Sequence, residues 1–404
     1  MIVNYPEWVS RYVPLCYNAR MMNKSNTKRK LITLLTFCIV SVMVATAAFV
    51  PVPASAAAPT DAQITAYAKK LVKGMSTNRK VAQLMIVAMP TKKPITKQKT
   101  YQFGGYILFG YHFKDTTRTK FKTRMKKLQN VSKKKMLICV DEEGGTVVRA
   151  SYYKKFRKNR FQSPRRTYQL YGYSGITYYT KKKDAFLKNL YINTNLAPVV
   201  DVPYKSSNFM YKRAFSTKYS SVCKFTKRTI KQMKTDNVVS CMKHFPGYGG
   251  NGDTHGQIIR DKRKLSTFVK RDLKPFQTGI DNGADMIMVS HTIVNAFDSK
   301  RPASLSKNVH NYIRKNMDFD GVIVTDGLAM KGIMNFVDGN SGKAAVRAIN
   351  AGNDMLCVTS NYLTVYKALK TAAKSGQISE TRLNKSVQRV LEMKIRRGII
   401  KIPN

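Results

Sequence analysis

Residues 243–255 read Lys-His-Phe-Pro-Gly-Tyr-Gly-Gly-Asn-Gly-Asp-Thr-His and hold two of the five histidines in the chain, His244 and His255. They follow an apolar run, Val238-Val239-Ser240-Cys241-Met242, that reads as a buried strand. Pro246 and four glycines then break regular structure ahead of an Asp253-Thr254-His255 step. A strand that ends in Lys-His and opens into a glycine loop carrying Asp-x-His suits proton transfer, because the carboxylate can orient the imidazole. The same residues also fit a plain turn with a capping Asp253 and a solvated His255.

The elements needed to position these groups are written in the hydrophobic pattern. Eight short apolar runs, 83–90, 104–109, 136–142, 195–202, 238–245, 286–291, 321–326 and 354–359, are each bounded by Gly, Pro, Asp or Asn. Continuous rather than alternating hydrophobicity predicts parallel strands buried on both faces. Amphipathic stretches at 120–131, 220–235, 264–282 and 341–351 predict helices between them. Eight strand–helix units predict an α/β fold, a (β/α)8 TIM-type barrel forming a single catalytic domain. An open doubly wound sheet is the alternative, but no dinucleotide fingerprint follows the first strand. The segment 150–180, rich in Tyr, Arg and Lys, reads as a long connection forming a basic, aromatic rim.

Barrels carry their chemistry at the C-terminal ends of the strands. The third run ends in Asp141-Glu142-Glu143-Gly144-Gly145 with Arg149 beyond it. The fourth ends in Asp201 with Arg213 in the next loop, the fifth in Lys243-His244, the sixth in Ser290-His291 and the seventh in Asp326-Gly327. Each has an ordinary reading too. Asp141 and Asp326 suit helix caps, Arg149 and Arg213 surface cations, Lys243 a snorkelling rim residue and His244 a hydrogen-bonded core residue. Glu143 and Asp201 read as loop-orienting carboxylates, His291 as a support behind the site, and His112 and His310 as solvated or loop residues. No cluster has metal-ligand spacing and no glycine loop has phosphate-binding form, so neither a metal nor an organic cofactor is expected.

Composition narrows the partners. The chain of 404 residues has 72 Lys and Arg against 22 Asp and Glu, a formal charge of +50. The cations are spread along the chain with no nucleic-acid-binding motif, which argues against a nucleic-acid function. They form either a solvated surface or one with affinity for anionic cell-wall polymer or a membrane surface. Residues 1–58 read as an N-terminal extension with a signal peptide or membrane anchor. Lys24, Lys28, Arg29 and Lys30 precede an uncharged run at 31–50 and a small-residue stretch ending near Ala58. Translation from Met21 or Met22 would suit that pattern. Residues 59–404 are left as the barrel domain. Cys139, Cys223, Cys241 and Cys357 show no paired or metal-like spacing and read as free thiols.

Taken together, Val140-Asp141-Glu142-Glu143-Gly144-Gly145, Leu196-Ala197-Pro198-Val199-Val200-Asp201-Val202, Arg213-Ala214-Phe215, Lys243-His244-Phe245-Pro246-Gly247, Asp253-Thr254-His255 and Val324-Thr325-Asp326 resemble family 3 glycoside hydrolases. The similarity is to the single-domain β-N-acetylglucosaminidase branch and runs from about Ala62 to Gly398. It implies a retaining, exo-acting hydrolase of terminal β-linked N-acetylglucosamine, often from cell-wall fragments. It implies Asp326 as nucleophile, His255 on a mobile loop as acid/base paired with Asp253, and Asp141, Arg149, Arg213, Lys243 and His244 as sugar-binding residues. Tyr248 stands where the family often has histidine, the Gly249–Asp253 spacing is one residue short, and Gly327 replaces a common acid. Two rivals remain open at this stage: phosphorolysis on the same scaffold, and a non-catalytic basic wall-binding protein.

Overall fold

The computed structural model describes residues 58–254 and 256–403. The expected signal peptide or anchor, and His255, lie outside the described residues. Each apolar run becomes a barrel strand. In chain order the strands are β1 (Met85–Ala88), β2 (Gly105–Leu108), β3 (Leu137–Val140), β4 (Thr194–Asn195), β5 (Val239–Phe245), β6 (Arg260–Asp261), β7 (Met286–Val289), β8 (Ile293–Val294), β9 (Val322–Gly327) and β10 (Met355–Val358). Eight of them close into a barrel in the order β1-β10-β9-β7-β5-β4-β3-β2, while β6 and β8 pair apart from it. All barrel pairings are parallel, as Tyr106↔Ile138 and Val289↔Thr325 illustrate.

The strand pattern has a direct physical cause. Inside the barrel, Ile86, Ile107, Cys139, Cys241, Met286 and Val324 fill the interior. Outside, residues such as Val87, Tyr106, Ile138 and Leu356 pack under the helices. Both faces exclude water, so no polar alternation survives in the sequence. The helices follow their predicted periodicity. Helix Tyr219–Thr235 buries Val222, Phe225, Thr226, Thr229, Ile230 and Met233, a stripe at three- and four-residue spacing. Helix Ser341–Ala351 is capped by the Asn340 side chain, which accepts from the Lys343 N–H. Cys139, Cys223, Cys241 and Cys357 are free.

Four expectations are corrected. The segment 150–180 is not a single long connection, because Pro164–Asn189 is helical and bends at Gly172. Ser163 caps it by accepting from the Arg166 N–H, and Pro164 sits in the first turn, where its missing N–H costs nothing. The fourth run forms a regular ladder only at Thr194–Asn195. Pro198 brings no N–H, so residues 196–200 pair irregularly, with Cys241 N–H donating to the Ala197 carbonyl and Val200 N–H to the Lys243 carbonyl. The helix expected at 264–282 is divided into Leu265–Thr267, a π-helical turn at Phe268–Asp272 and Leu273–Ile280. Pro275 there offers no N–H to the Arg271 carbonyl. Finally, His112 and His310 are buried rather than solvated. His112 Nε2 lies 2.8 Å from the Met89 carbonyl, and His310 Nδ1 lies 2.7 Å from the Ser306 carbonyl.

Candidate active site

The C-terminal ends of the barrel strands open into a cavity of about 460 Å³. Asp141, Arg149, Arg213, Lys243, His244 and Asp326 all line it, together with Glu143. Six of the eight residues singled out from sequence therefore line one cavity. Asp253 is not part of that lining, and His255 is not described.

The polar wall is a chain of ion pairs. Lys243 is 2 % exposed, and its Nζ lies 2.7 Å from Asp141 Oδ1 and 2.8 Å from Glu143 Oε1. Arg213 grips the same Glu143 from two nitrogens, at 3.0 and 2.6 Å. Arg149 approaches Asp141 at 3.8 Å. Burial disfavours the Lys243 charge, but Asp141 and Glu143 outweigh it and hold the ammonium above its usual range. Burial likewise works against Glu143, yet Lys243 and Arg213 push its carboxyl well below the ordinary carboxylate value. Lys243 and Glu143 are therefore both held in their charged forms, and Asp141, Arg149 and Arg213 keep partial access to the cavity. Such a wall offers donors and acceptors pre-set for vicinal hydroxyls.

His244 is fixed by Asp201. Its Nδ1 lies 2.8 Å from Asp201 Oδ2, the same oxygen accepts the His244 backbone N–H at 3.0 Å, and Oδ1 accepts the Tyr248 N–H at 2.8 Å. This leaves Nε2 turned toward Arg213 at 3.3 Å. Asp201 is fully buried and absent from the cavity lining, which is the orienting position expected from sequence.

Asp326 closes the floor. It sits near the end of β9, and its Oδ1 accepts the Gly327 N–H at 2.7 Å. Burial alone would raise its pKa, but the His244 and His291 rings, the Gly327 N–H and Lys243 more than compensate and bring it below the usual carboxylate value. Asp326 is thus an ionised carboxylate facing a cavity, the state a nucleophile requires. His291 stands behind it, with Nδ1 2.8 Å from Ser304 Oγ and Nε2 3.1 Å from the Gly327 carbonyl.

The glycine loop after β5 is tied down at several points. Arg263 donates to the Gly247 carbonyl at 2.8 Å, Asn251 donates to Asp261 at 2.6 Å, and Gly332 N–H donates to the Thr254 carbonyl at 3.2 Å. The Tyr248 hydroxyl lies 2.6 Å from Thr254 Oγ1, with both side chains buried. Burial and the nearby charges of Asp326, Asp201 and Asp253 together push the phenol's pKa up, so Asp253 lies within electrostatic reach of the site.

Sequence reasoning passed over Phe109, Val147, Met330, Lys331 and Thr359, which also line the cavity. Their signal was positional, since four lie in strand-to-helix loops and Lys331 opens the helix Lys331–Phe336. It also undervalued Glu143, whose place between two cations depends on Lys243 arriving from β5 and Arg213 from the turn at Phe209–Lys212.

Comparison with known proteins agrees with this geometry. Residues 76–393 match the glycosyl hydrolase family 3 N-terminal domain. A β-hexosaminidase of Photobacterium profundum is 31% identical over 272 residues, covering 66% of this chain and 77% of that protein. An uncharacterized secreted glycosyl hydrolase of Arthroderma benhamiae is 28% identical over 310 residues, covering 72% of this chain and 85% of that one. The solved structure of a family 3 β-N-acetylglucosaminidase from Paenibacillus superimposes with a TM-score of 0.75 at 27% identity, over 81% of this chain. This chain spans 63% of that protein's length. With its closed eight-stranded barrel and its match across most of the domain, the chain belongs to glycosyl hydrolase family 3 and is a glycoside hydrolase.

Proposed function

We propose that this protein is an exported, retaining, exo-acting β-N-acetylglucosaminidase that removes terminal β-linked N-acetylglucosamine from peptidoglycan-derived or related glycans. The reading is carried by the ionised Asp326 carboxylate at the floor of a cavity whose wall is the Asp141–Lys243–Glu143–Arg213 ion-pair chain. The β-hexosaminidase and β-N-acetylglucosaminidase names of the relatives support the sugar.

In this reading the terminal sugar lies over Asp326, its hydroxyls held by Asp141, Arg149, Arg213, Lys243 and His244. Asp326 attacks the anomeric carbon while the glycosidic oxygen leaves with a proton from His255, giving a glycosyl ester. A water then loses its proton to His255 and adds to the same carbon, and the carboxylate departs. Two displacements on opposite faces retain configuration. An imidazole with an ordinary pKa of about 6.5 can perform both proton transfers near neutrality, and Asp253 would orient it. Export rests on the basic, apolar and small-residue pattern of residues 24–58 and on the secreted relative. Among the described residues no helix is long and apolar enough to cross a membrane.

The test is covalent trapping. A 5-fluoro N-acetylglucosaminyl fluoride should label the wild-type protein once, on the peptide containing Asp326, and leave Asp326→Asn unlabelled. Label on another peptide, or turnover of a chromogenic N-acetylglucosaminide by Asp326→Asn at the wild-type rate, overturns the assignment.

A further inference from the structure

Between Gly144 and Lys183 the chain holds eleven Lys or Arg and seven Tyr, and not one Asp or Glu. Only Arg149 of those cations lines the substrate cavity. Beyond it, Tyr152, Lys154, Lys158, Asn159 and Arg160 line a separate surface cavity of about 420 Å³. Tyr152 is 62 % exposed, and Lys154, Lys158 and Arg160 are exposed beside it. The next cation, Arg157, packs its guanidinium 4.1 Å over the Phe161 ring, and its charge reaches Tyr179 on helix Pro164–Asn189. There Tyr171 and Tyr178, each about half exposed, touch Tyr179 at ring distances of 5.3 Å, and Lys182 lies 4.6 Å over Tyr178. The result is a belt of exposed rings and cations on two neighbouring stretches of chain, 152–160 and 171–182, linked by the charge of Arg157.

We propose that this belt is a binding groove for acidic glycan chains, that is, pyranose chains bearing carboxylates. The proposal rests on the reading of the cavity as a site for N-acetylglucosamine-terminated glycans and adds a second, non-catalytic site to it. Tyrosine faces stack on the C–H faces of sugar rings while the cations pair with the carboxylates. Neither contact alone would select this ligand: neutral sugars waste the charge, and compact anions waste the rings. A single-stranded nucleic acid also combines planar faces and negative charge. It fits less well here, because the tyrosine rings already touch one another and leave no slots for bases. The belt also starts three residues from Arg149, a Cα path of at most about 11 Å. One glycan chain can therefore enter both sites.

Binding of the full chain to immobilised carboxymethyl-chitin is the direct measurement, with glycol chitin as the uncharged analogue of the same backbone and oligo(dT) as the nucleic-acid probe. Wild type should bind carboxymethyl-chitin at least tenfold more tightly than glycol chitin. The triple variant Lys154→Ser, Lys158→Ser, Arg160→Ser should lose at least tenfold in that affinity, and Tyr171→Ser with Tyr178→Ser at least threefold. A triple of equal charge change on helix Asp61–Lys73, at Lys69, Lys70 and Lys73, should lose less than twofold. All three variants should cleave a small chromogenic N-acetylglucosaminide as wild type does. Equal losses from the two triples would mean diffuse charge and overturn the proposal. Equal binding of both chitins, or tighter binding of oligo(dT) that the groove triple abolishes, would overturn it as well. Loss of chromogenic turnover in wild type with groove binding intact would instead count against the catalytic reading alone.

Discussion

The Tyr248 hydroxyl and Thr254 Oγ1 lie 2.6 Å apart in a fully enclosed setting, which pins the loop on the residue between Asp253 and His255. The two hydrogen-bonding groups have no water to fall back on, so removing one leaves the other unsatisfied at a cost of about 1–3 kcal/mol. Tyr248→Phe keeps the ring against His244 and removes only the latch. It should lower kcat about tenfold with KM within a factor of two and shift the pH profile of kcat. Thr254→Val should reproduce the loss, and the double variant should add little to it. Fully additive losses, or an unchanged pH profile, would show that the contact is merely structural.

Glu143 neutralises two buried cations at once, so Glu143→Gln leaves Lys243 with Asp141 as its remaining ion pair and strips Arg213 of its bidentate carboxylate. Breaking a buried pair in this way costs about 3–5 kcal/mol. Urea denaturation should show that loss, with KM for a chromogenic substrate rising at temperatures where the variant stays folded. Unchanged stability would mean water reaches the pair.

Gly144 occupies φ +103°, and a Cβ there would fall 2.3 Å from the Gln162 backbone carbonyl. Gly144→Ala should therefore destabilise by roughly 2–4 kcal/mol through backbone strain and overlap combined. Because the same turn leads to Arg149, KM should rise more than kcat falls. Thermal melting and steady-state kinetics check the two halves separately.

Lys394 is fully buried and donates to Gln83 Oε1 at 2.9 Å. Burial brings its ammonium down from 10.5 to about 7, with a weaker opposing pull from Cys139. Between those values the unfolded chain holds a proton that the folded chain lacks, so stability rises with pH across that window. The slope is about 1.4 kcal/mol per pH unit for this one group. Lys394→Met should abolish that component, giving a flatter stability curve between pH 7.5 and 9.5 in urea titrations. Parallel curves for wild type and variant would show that the ammonium stays charged inside the fold.

Much of the fold was legible because buried parallel strands leave continuous apolar runs, and all eight became barrel strands. The less legible parts have specific causes. The run through Pro198 loses ladder bonds that only proline denies it, and the helix through Gly172 and its tyrosines lacks a clean apolar stripe. His112 and His310 look like any polar residue in a loop until burial gives each a backbone carbonyl as partner.

The site divides along the same line. Its residue types, and the placement of Lys243 next to His244 at one strand end, follow from the sequence alone, since neighbours on a strand cannot be separated. That Lys243 meets Asp141 across 102 positions, that Glu143 serves two cations, and that Tyr248 fastens Thr254 were decided by barrel closure. Hydrophobic periodicity specifies which segments are buried, but it carries no information about which charges will face one another. Those pairings arise only when closure excludes water and leaves each buried charge dependent on whatever partner the opposite strand supplies.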